Sequence, residues 1–224
     1  NYLAEDWVLD SNITTGSFRA PRSNFIAAAE QSFLDEVAEA AGKDPIDFRL
    51  ELLERAKNTP VGDNNDYDAE RYAGVLRLAK EKSNWGEKKT GVHRGVSAYF
   101  CHNSYAANVL DLVFENGNAR VEKVTCAIDC GIVVNPDAAT NLAEGATVDG
   151  VGTAMFGAFT FKDGVPEKTN FDKYRMIRAK EAPKVIDVHF VFAALANALY
   201  QATGKRLYDQ PFAPSLEELS RSKI

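Results

Sequence analysis

The chain has 224 residues, 45% hydrophobic and 26% charged, a composition that predicts one large globular domain or two small ones. Its net charge of −6, with basic and acidic residues interleaved, argues against nucleic acid as a partner. The apolar runs are far too short for a membrane span. Because the chain begins at Asn1 without a methionine, we expect a fragment or processed product, with the compartment open between periplasm and cytoplasm.

Residues 1–90 are predicted to form an N-terminal helical segment, with helices at about 22–41, 45–56 and 68–82. Asp44 is the expected N-cap of the second helix, because Pro45 follows it at the first helical position. The apolar faces of the first and third helices are predicted to comprise Ile26, Ala29, Phe33, Val37 and Ala40, and Tyr72, Val75, Leu76 and Ala79.

Residues 91–224 are predicted to form the sheet portion of an α+β fold, in one compact unit with the helical segment. Antiparallel strands are expected at about 91–101, 104–115, 118–130 and 184–190. Asn116-Gly117 and Asp163-Gly164 each predict a hairpin turn. The fold class is therefore helices packed on a mainly antiparallel sheet.

A fourth helix is predicted at about 137–154, with Asp137 as its N-cap. Gly145, Gly150 and Gly152 are unusual there, since each costs about 1 kcal/mol of helix stability relative to alanine. Either another backbone or a ligand approaches closely, or the glycines serve packing alone.

The stretch VIDVHFVFAALANALYQATG, residues 185–204, passes from a strand pattern to a helix pattern at about 192–203. Between the two there is no turn residue and no N-cap. We therefore predict that a loop is missing next to Val191, through disorder rather than deletion, and that the chain is discontinuous between Phe190 and Phe192.

Few residues suggest chemistry by themselves. TTGSFRAPRSN, residues 14–24, places Arg19 and Arg22 before a helix start, where an anion would be favoured, although a structural role is an equal alternative. Asp129, in an apolar strand, is expected to cap a turn rather than to face a site. Cys126 and Cys130 are predicted to be small buried thiols, since no zinc motif has their spacing.

Four stretches in fixed order carry a resemblance to a known family. They are GSFRAPRSN with EQSFLDEVAEAAGKDPIDFRLELL, AIDCGIVVNPDAATNLAEG, NFDKYRMIRAKEAPKVIDVHFV and ANALYQATGKRLYDQPF. The chain resembles the C-terminal part of the molybdopterin-binding large subunit of the xanthine oxidase and aldehyde oxidase family, closest to the isoquinoline 1-oxidoreductase β-subunit type.

The resemblance implies a molybdenum hydroxylase that oxidises an aldehyde or N-heterocycle with water as the oxygen source. It implies a molybdopterin cofactor, which in some members is the cytosine dinucleotide form, bound without a protein ligand to the metal. It places Ser17, Phe18, Arg19 and Ala20 in a cofactor-facing loop. Electrons would leave through an iron–sulfur subunit or a cytochrome.

This sequence also departs from the family pattern. The family's catalytic glutamate lies in a loop at the position of Val191, and that loop is absent here. The upstream domain is absent too, and Asn141-Leu142 stand where many members have a glutamine. We therefore expect the fragment itself to be inactive. The alternative is a non-catalytic assembly module that shares the fold.

Overall fold

The structure, a computed structural model, describes residues 23–60 and 67–191. Its helices are α1 (Ser23–Ala40), α2 (Pro45–Asn58), α3 (Ala69–Lys82) and α4 (Pro136–Phe156). Its strands are β1 (His93–Cys101), β2 (Ser104–Glu115), β3 (Asn118–Asp129), β4 (Phe161–Lys162), β5 (Val165–Pro166) and β6 (Val185–Phe190). No helix in these ranges is both long enough and apolar enough to cross a bilayer.

The main sheet has the strand order β1-β2-β3-β6, and its first three strands form an antiparallel meander. Tight turns at His102-Asn103 and Asn116-Gly117 join them, with positive φ at all four residues, as a type I′ hairpin requires. The turn at Asp163-Gly164 joins β4 and β5 in the same way. Both predicted hairpins and the mainly antiparallel α+β fold are confirmed.

The pairing of the last strand differs from the prediction, because β6 lies parallel to β3. Residues 130–184 include α4 and return the chain to the end of the sheet at which β3 begins. Strand β6 therefore runs in the same direction as β3. The prediction of an antiparallel strand here was wrong, since periodicity places residues on a face but does not fix strand direction.

The main core lies between one face of the sheet and helices α2 and α3. It consists of twelve buried residues: Ile46, Leu53, Ala73, Val75, Leu76, Ala79, Val96, Ala98, Tyr105, Ala107, Val109 and Ala127. Val124 and Cys126 point to the opposite face of β3 and are also buried. Strand β3 therefore has buried side chains on both faces, and α4 contacts both β3 and β6.

Helix α1 buries a face that its apolar pattern did not predict. Phe33 is half exposed, whereas Gln31 and Ala38 are buried. The Gln31 side-chain oxygen accepts hydrogen bonds from Arg49 Nε at 3.0 Å and from Ala98 N at 3.1 Å, and Arg49 Nη2 donates to the Gln31 carbonyl at 2.8 Å. Buried polar groups with such partners are tolerated, so a polar contact orients α1 on the sheet.

Asp111 joins β2 to the segment after α3. Its carboxylate accepts hydrogen bonds from Lys89 Nζ at 3.0 Å and Arg94 Nε at 2.8 Å. Arg94 also donates to the carbonyls of Ser83, Asn84 and Trp85 and lies 5.3 Å from the Trp85 ring centroid. Burial raises the pKa of Asp111, but the hydrogen bonds from the two cations outweigh it and hold this pKa below its usual value.

The lowered pKa of Asp111 predicts a pH-dependent contribution to stability. The contribution is complete above the pKa of the unfolded carboxyl group and is lost as the pH falls through the lower folded value. In Asp111→Asn, the free energy of unfolding should therefore fall less steeply between about pH 5 and pH 2 than in the wild type. Urea titrations across that range measure this difference, and parallel acid limbs for the two proteins would contradict it.

Candidate functional site

The carboxyl ends of the parallel strands β3 and β6 lie side by side and define the candidate site. Phe190 pairs with Ile128, and the Val191 N–H donates to the Ile128 carbonyl at 2.6 Å. The segments that leave these strands therefore start at the same edge of the sheet. In sheets with parallel strands, such an edge is where ligands commonly bind. Val191, where the resemblance places the catalytic loop, lies at this edge.

Asp129, the last residue of β3, is the charged group at the centre of this edge and is almost completely buried. Arg71 of α3 binds it with both arms of the guanidinium, at 3.0 Å through Nε and 2.7 Å through Nη2. The Gly131 N–H donates to the same carboxylate at 3.2 Å. The predicted structural role of Asp129 as a turn cap is confirmed. Its partner Arg71, 58 residues away in sequence, was not predicted.

Arg71 is itself held by several contacts. Its guanidinium carbon lies 4.6 Å from the Tyr105 ring centroid, and Nη2 also donates to the Asn103 carbonyl at 3.2 Å. The Tyr105 hydroxyl accepts a hydrogen bond from the Asp68 N–H at the start of α3. The hydrogen bond to Asp129 raises the pKa of Arg71. The two-armed contact with Asp129 therefore fixes α3 to the site edge.

The loop from β3 to α4 begins at this edge. Gly131 has φ +78°, a conformation that glycine adopts without strain. The loop ends at Asn135, whose side chain accepts from the Ala138 N–H at 3.1 Å and caps α4, with Pro136 at the first helical position. The prediction that Asp137 is the N-cap was therefore wrong, since Asp137 lies within the first turn.

The three glycines of α4 have different surroundings. A Cβ added at Gly152 would lie 2.8 Å from Cγ2 of Ile177, so this glycine serves packing. Nothing lies within 4 Å of a Cβ added at Gly145 or Gly150. Gly152 therefore serves packing within the domain, which is one of the two alternatives from the sequence. Gly145 and Gly150 have no such packing neighbour among the described residues.

The contact at Gly152 gives a test of the packing of α4. In Gly152→Ala the new methyl group meets the branched side chain of Ile177, and overpacking of this kind costs about 1–3 kcal/mol. Alanine also gains about 1 kcal/mol of helix propensity. We expect net destabilisation in chemical denaturation, whereas Gly74→Ala in α3, which meets only Val191 at 4.0 Å, should stabilise. Equal stabilisation by the two substitutions would contradict this contact.

Cys126, Cys130 and His189 differ in their burial. Cys126 is buried, and burial raises its pKa to about 12, so the predicted buried thiol is confirmed there. Cys130 lies one residue past β3 and is exposed, so its predicted burial was wrong. His189 is partly buried on β6, and desolvation lowers its pKa. Within 23–60 and 67–191, no three histidine, cysteine or acidic side chains form a group that could hold a metal ion.

The residues predicted to contact the cofactor, Ser17, Phe18, Arg19 and Ala20, lie outside the described residues. So do Arg22, the predicted helix 192–203, and Phe192 at the predicted discontinuity. At the described edge, Arg71 and Asp129 neutralise each other, and Asp137 places a negative charge in the first turn of α4.

A family model and two curated relatives match this chain in sequence. The family model of the molybdopterin cofactor-binding domain matches residues 24–183. Isoquinoline 1-oxidoreductase subunit beta from Brevundimonas diminuta is 27% identical over 216 residues, covering 87% of this chain and 26% of the relative. A membrane-bound aldehyde dehydrogenase from Gluconacetobacter polyoxogenes, named for pyrroloquinoline quinone, is 29% identical over 230 residues, covering 89% of this chain and 29% of the relative.

Solved structures give a partial match. A reconstituted CO dehydrogenase from Oligotropha carboxidovorans is 20% identical and aligns with 42% of this chain and 12% of its own, with a TM-score of 0.35. The chain spans less than a third of the length of each of the two curated relatives, although 87% and 89% of the chain align with them.

Proposed function

The chain belongs to the molybdopterin cofactor-binding domain family, and on this premise we propose that it is part of the large subunit of a molybdenum hydroxylase. The proposed reaction is oxidation of an aldehyde or an N-heterocycle, with water as the oxygen source. The observation that carries the proposal is the family match over residues 24–183, which includes nearly all of α1, Arg71, Asp129 and α4 but ends before β6. The names of the two curated relatives supply the two substrate classes.

We assign cofactor binding to Ser17, Phe18, Arg19 and Ala20. The Arg19 guanidinium offers forked donors that suit a phosphate group, and the free N–H groups of a helix start favour the same charge. When bound, molybdopterin, as such or as its cytosine dinucleotide, supplies the redox and oxygen-transfer chemistry at molybdenum. The chain's own part is to bind and orient it, with no side chain as a metal ligand.

In this proposal, the described edge of the sheet supports the loop of residues 17–20. Sites built on rigid elements hold a ligand more accurately than sites on loops alone, and Arg71 with Asp129 makes this edge rigid. Residues 1–90 and 91–224 then act as one compact unit, with the helical segment fixing the sheet edge at which Val191 lies.

We further propose that this chain alone is inactive. The family's general base is a glutamate, and the sequence has no acidic residue between Val191 and Asp209. The curated relatives are more than three times as long as the part they share with this chain. The upstream domain of the same subunit and an iron–sulfur subunit or cytochrome are the proposed partners.

The alternative function is a non-catalytic assembly module with the same fold, which the lack of a glutamate in the loop of the full coding sequence would favour. The full coding sequence separates the two, because a glutamate in the loop at that position would indicate the enzyme.

The reaction is tested with the full-length subunit and its electron-transfer partner. Aldehydes and N-heterocycles are supplied in isotopically labelled water, and the label should appear in the oxidised product. Product without the label, or no oxidation by a subunit that contains the cofactor, would contradict the proposed activity.

A further inference from the structure

Exposed apolar side chains are concentrated in one stretch of the described chain. Twelve large hydrophobic residues are exposed, and only Phe33, Phe114 and Val185 lie outside residues 132–176. The nine within that stretch are Ile132, Val134, Leu142, Met155, Phe159, Phe161, Val165, Phe171 and Met176. Ile132 and Val134, immediately before α4, are 87% and 90% exposed. Exposed apolar residues that lie together on one face mark an interaction surface.

The exposed side of α4 is the most regular part of this surface, and we call it the α4 outer face. It consists of residues spaced three and four apart along the helix: Leu142, Gly145, Ala146, Asp149, Gly150 and Thr153. The exposed residues of α3 include Glu70, Arg77 and Glu81, all of which form ion pairs. A helix that faces water normally carries such long charged side chains, and the α4 outer face has one charge.

The glycines show how closely another chain could approach. A Cβ at Gly145 or Gly150 would have nothing within 4 Å, whereas a Cβ at Gly152 would collide with Ile177 on the inner side. Leu142, on the same outer face as the two open glycines, is 75% exposed. Glycines on an apolar helix face allow close approach of a second backbone.

We propose that the α4 outer face, together with Ile132 and Val134, packs against the remainder of the large subunit, an inference that rests on the proposed function. The two curated relatives match this chain over 87% and 89% of its length yet extend far beyond the match. Polypeptide able to cover the face is thus present in them. The acidic residues of α4 are Asp137, Glu144 and Asp149, and the helix has no basic residue, so the covering surface is apolar with a neutral or basic rim.

The test uses the full-length subunit and two pairs of substitutions. Gly150→Ala is paired with Gly74→Ala, since both glycines lie inside helices and neither new methyl group clashes in this structure. Leu142→Asn is paired with Phe114→Asn, which changes an apolar residue that is 58% exposed on β2. Thermal unfolding should show Tm lowered by about 2 °C for each substitution on the α4 outer face. Gly74→Ala should raise Tm, and Phe114→Asn should lower Tm by less than Leu142→Asn does.

Equal Tm changes within each pair would overturn the proposal, because the face would then be open to water. A concentration-dependent dimer in sedimentation that Leu142→Asn dissociates would overturn it too, since a second copy would then be the occupant. The molybdopterin content of the same preparations is measured separately. A subunit without cofactor contradicts the proposed function, whereas the paired Tm differences report on the interface alone.

Discussion

Replacing Arg71 with alanine is expected to lower the free energy of unfolding by about 3 kcal/mol, because it leaves the Asp129 carboxylate buried without its cation. Asp129 is 1% exposed, and its other described contact is the Gly131 N–H at 3.2 Å. The substitution also removes the guanidinium from the Tyr105 ring and from the Asn103 carbonyl. Urea denaturation at neutral pH measures the loss.

Arg77→Ala, in the same helix, is the matched control. Arg77 pairs with Glu70 at 2.8 Å, but both side chains are about half exposed, and such surface pairs contribute about 0–1 kcal/mol. The double substitution Arg71→Ala with Asp129→Ala should recover part of the loss, because no unpaired charge remains buried. A loss for Arg71→Ala no larger than that for Arg77→Ala would show that the buried pair does not hold the edge.

Replacing Arg19 with alanine in the full-length subunit is expected to weaken cofactor binding by about ten- to a hundredfold. A hydrogen bond to a charged group contributes about 1.5–3 kcal/mol, and 1.4 kcal/mol corresponds to a factor of ten. The measurement is the molybdopterin retained after dilution and gel filtration, with Arg77→Ala as the control for loss of a surface arginine. Retention equal to that of the control would remove Arg19 from the cofactor site.

The secondary structure of the described residues follows closely from the sequence, because its signals are local. Asp44 accepts hydrogen bonds from the N–H groups of Ile46 and Asp47, as an N-cap followed by proline predicts. Asn116-Gly117 forms the expected hairpin turn, since both residues tolerate positive φ. Each of the eight predicted helices and strands within the described ranges lies within two residues of its expected bounds.

Features that depend on distant residues could not be predicted in this way. The side of α1 that is buried is set by Gln31, which binds Arg49 and Ala98, and no apolar periodicity reveals such a polar contact. The parallel direction of β6 depends on the path of residues 130–184. The ion pair of Arg71 and Asp129 joins residues 58 positions apart, and only the folded chain brings them together.

The candidate site, too, could be predicted only in part from the sequence. Asp129 was expected to cap a turn, and Val191 to mark the position of the family's catalytic loop, and the structure places both residues at one edge of the sheet. The glycines of α4 were recognised as unusual, but only the structure separates Gly152, which packs against Ile177, from Gly145 and Gly150, which are open. The cofactor contacts assigned to residues 17–20 stay a prediction.

The most direct test of the proposed function is the cofactor content of the purified full-length subunit. It is produced in a host that makes the cofactor, beside a molybdenum hydroxylase known to load there, and assayed for molybdenum, molybdopterin and pyrroloquinoline quinone. We expect molybdenum and molybdopterin in stoichiometric amounts. A folded subunit that contains neither, or that contains the quinone instead, while the parallel enzyme is loaded, would contradict the proposal.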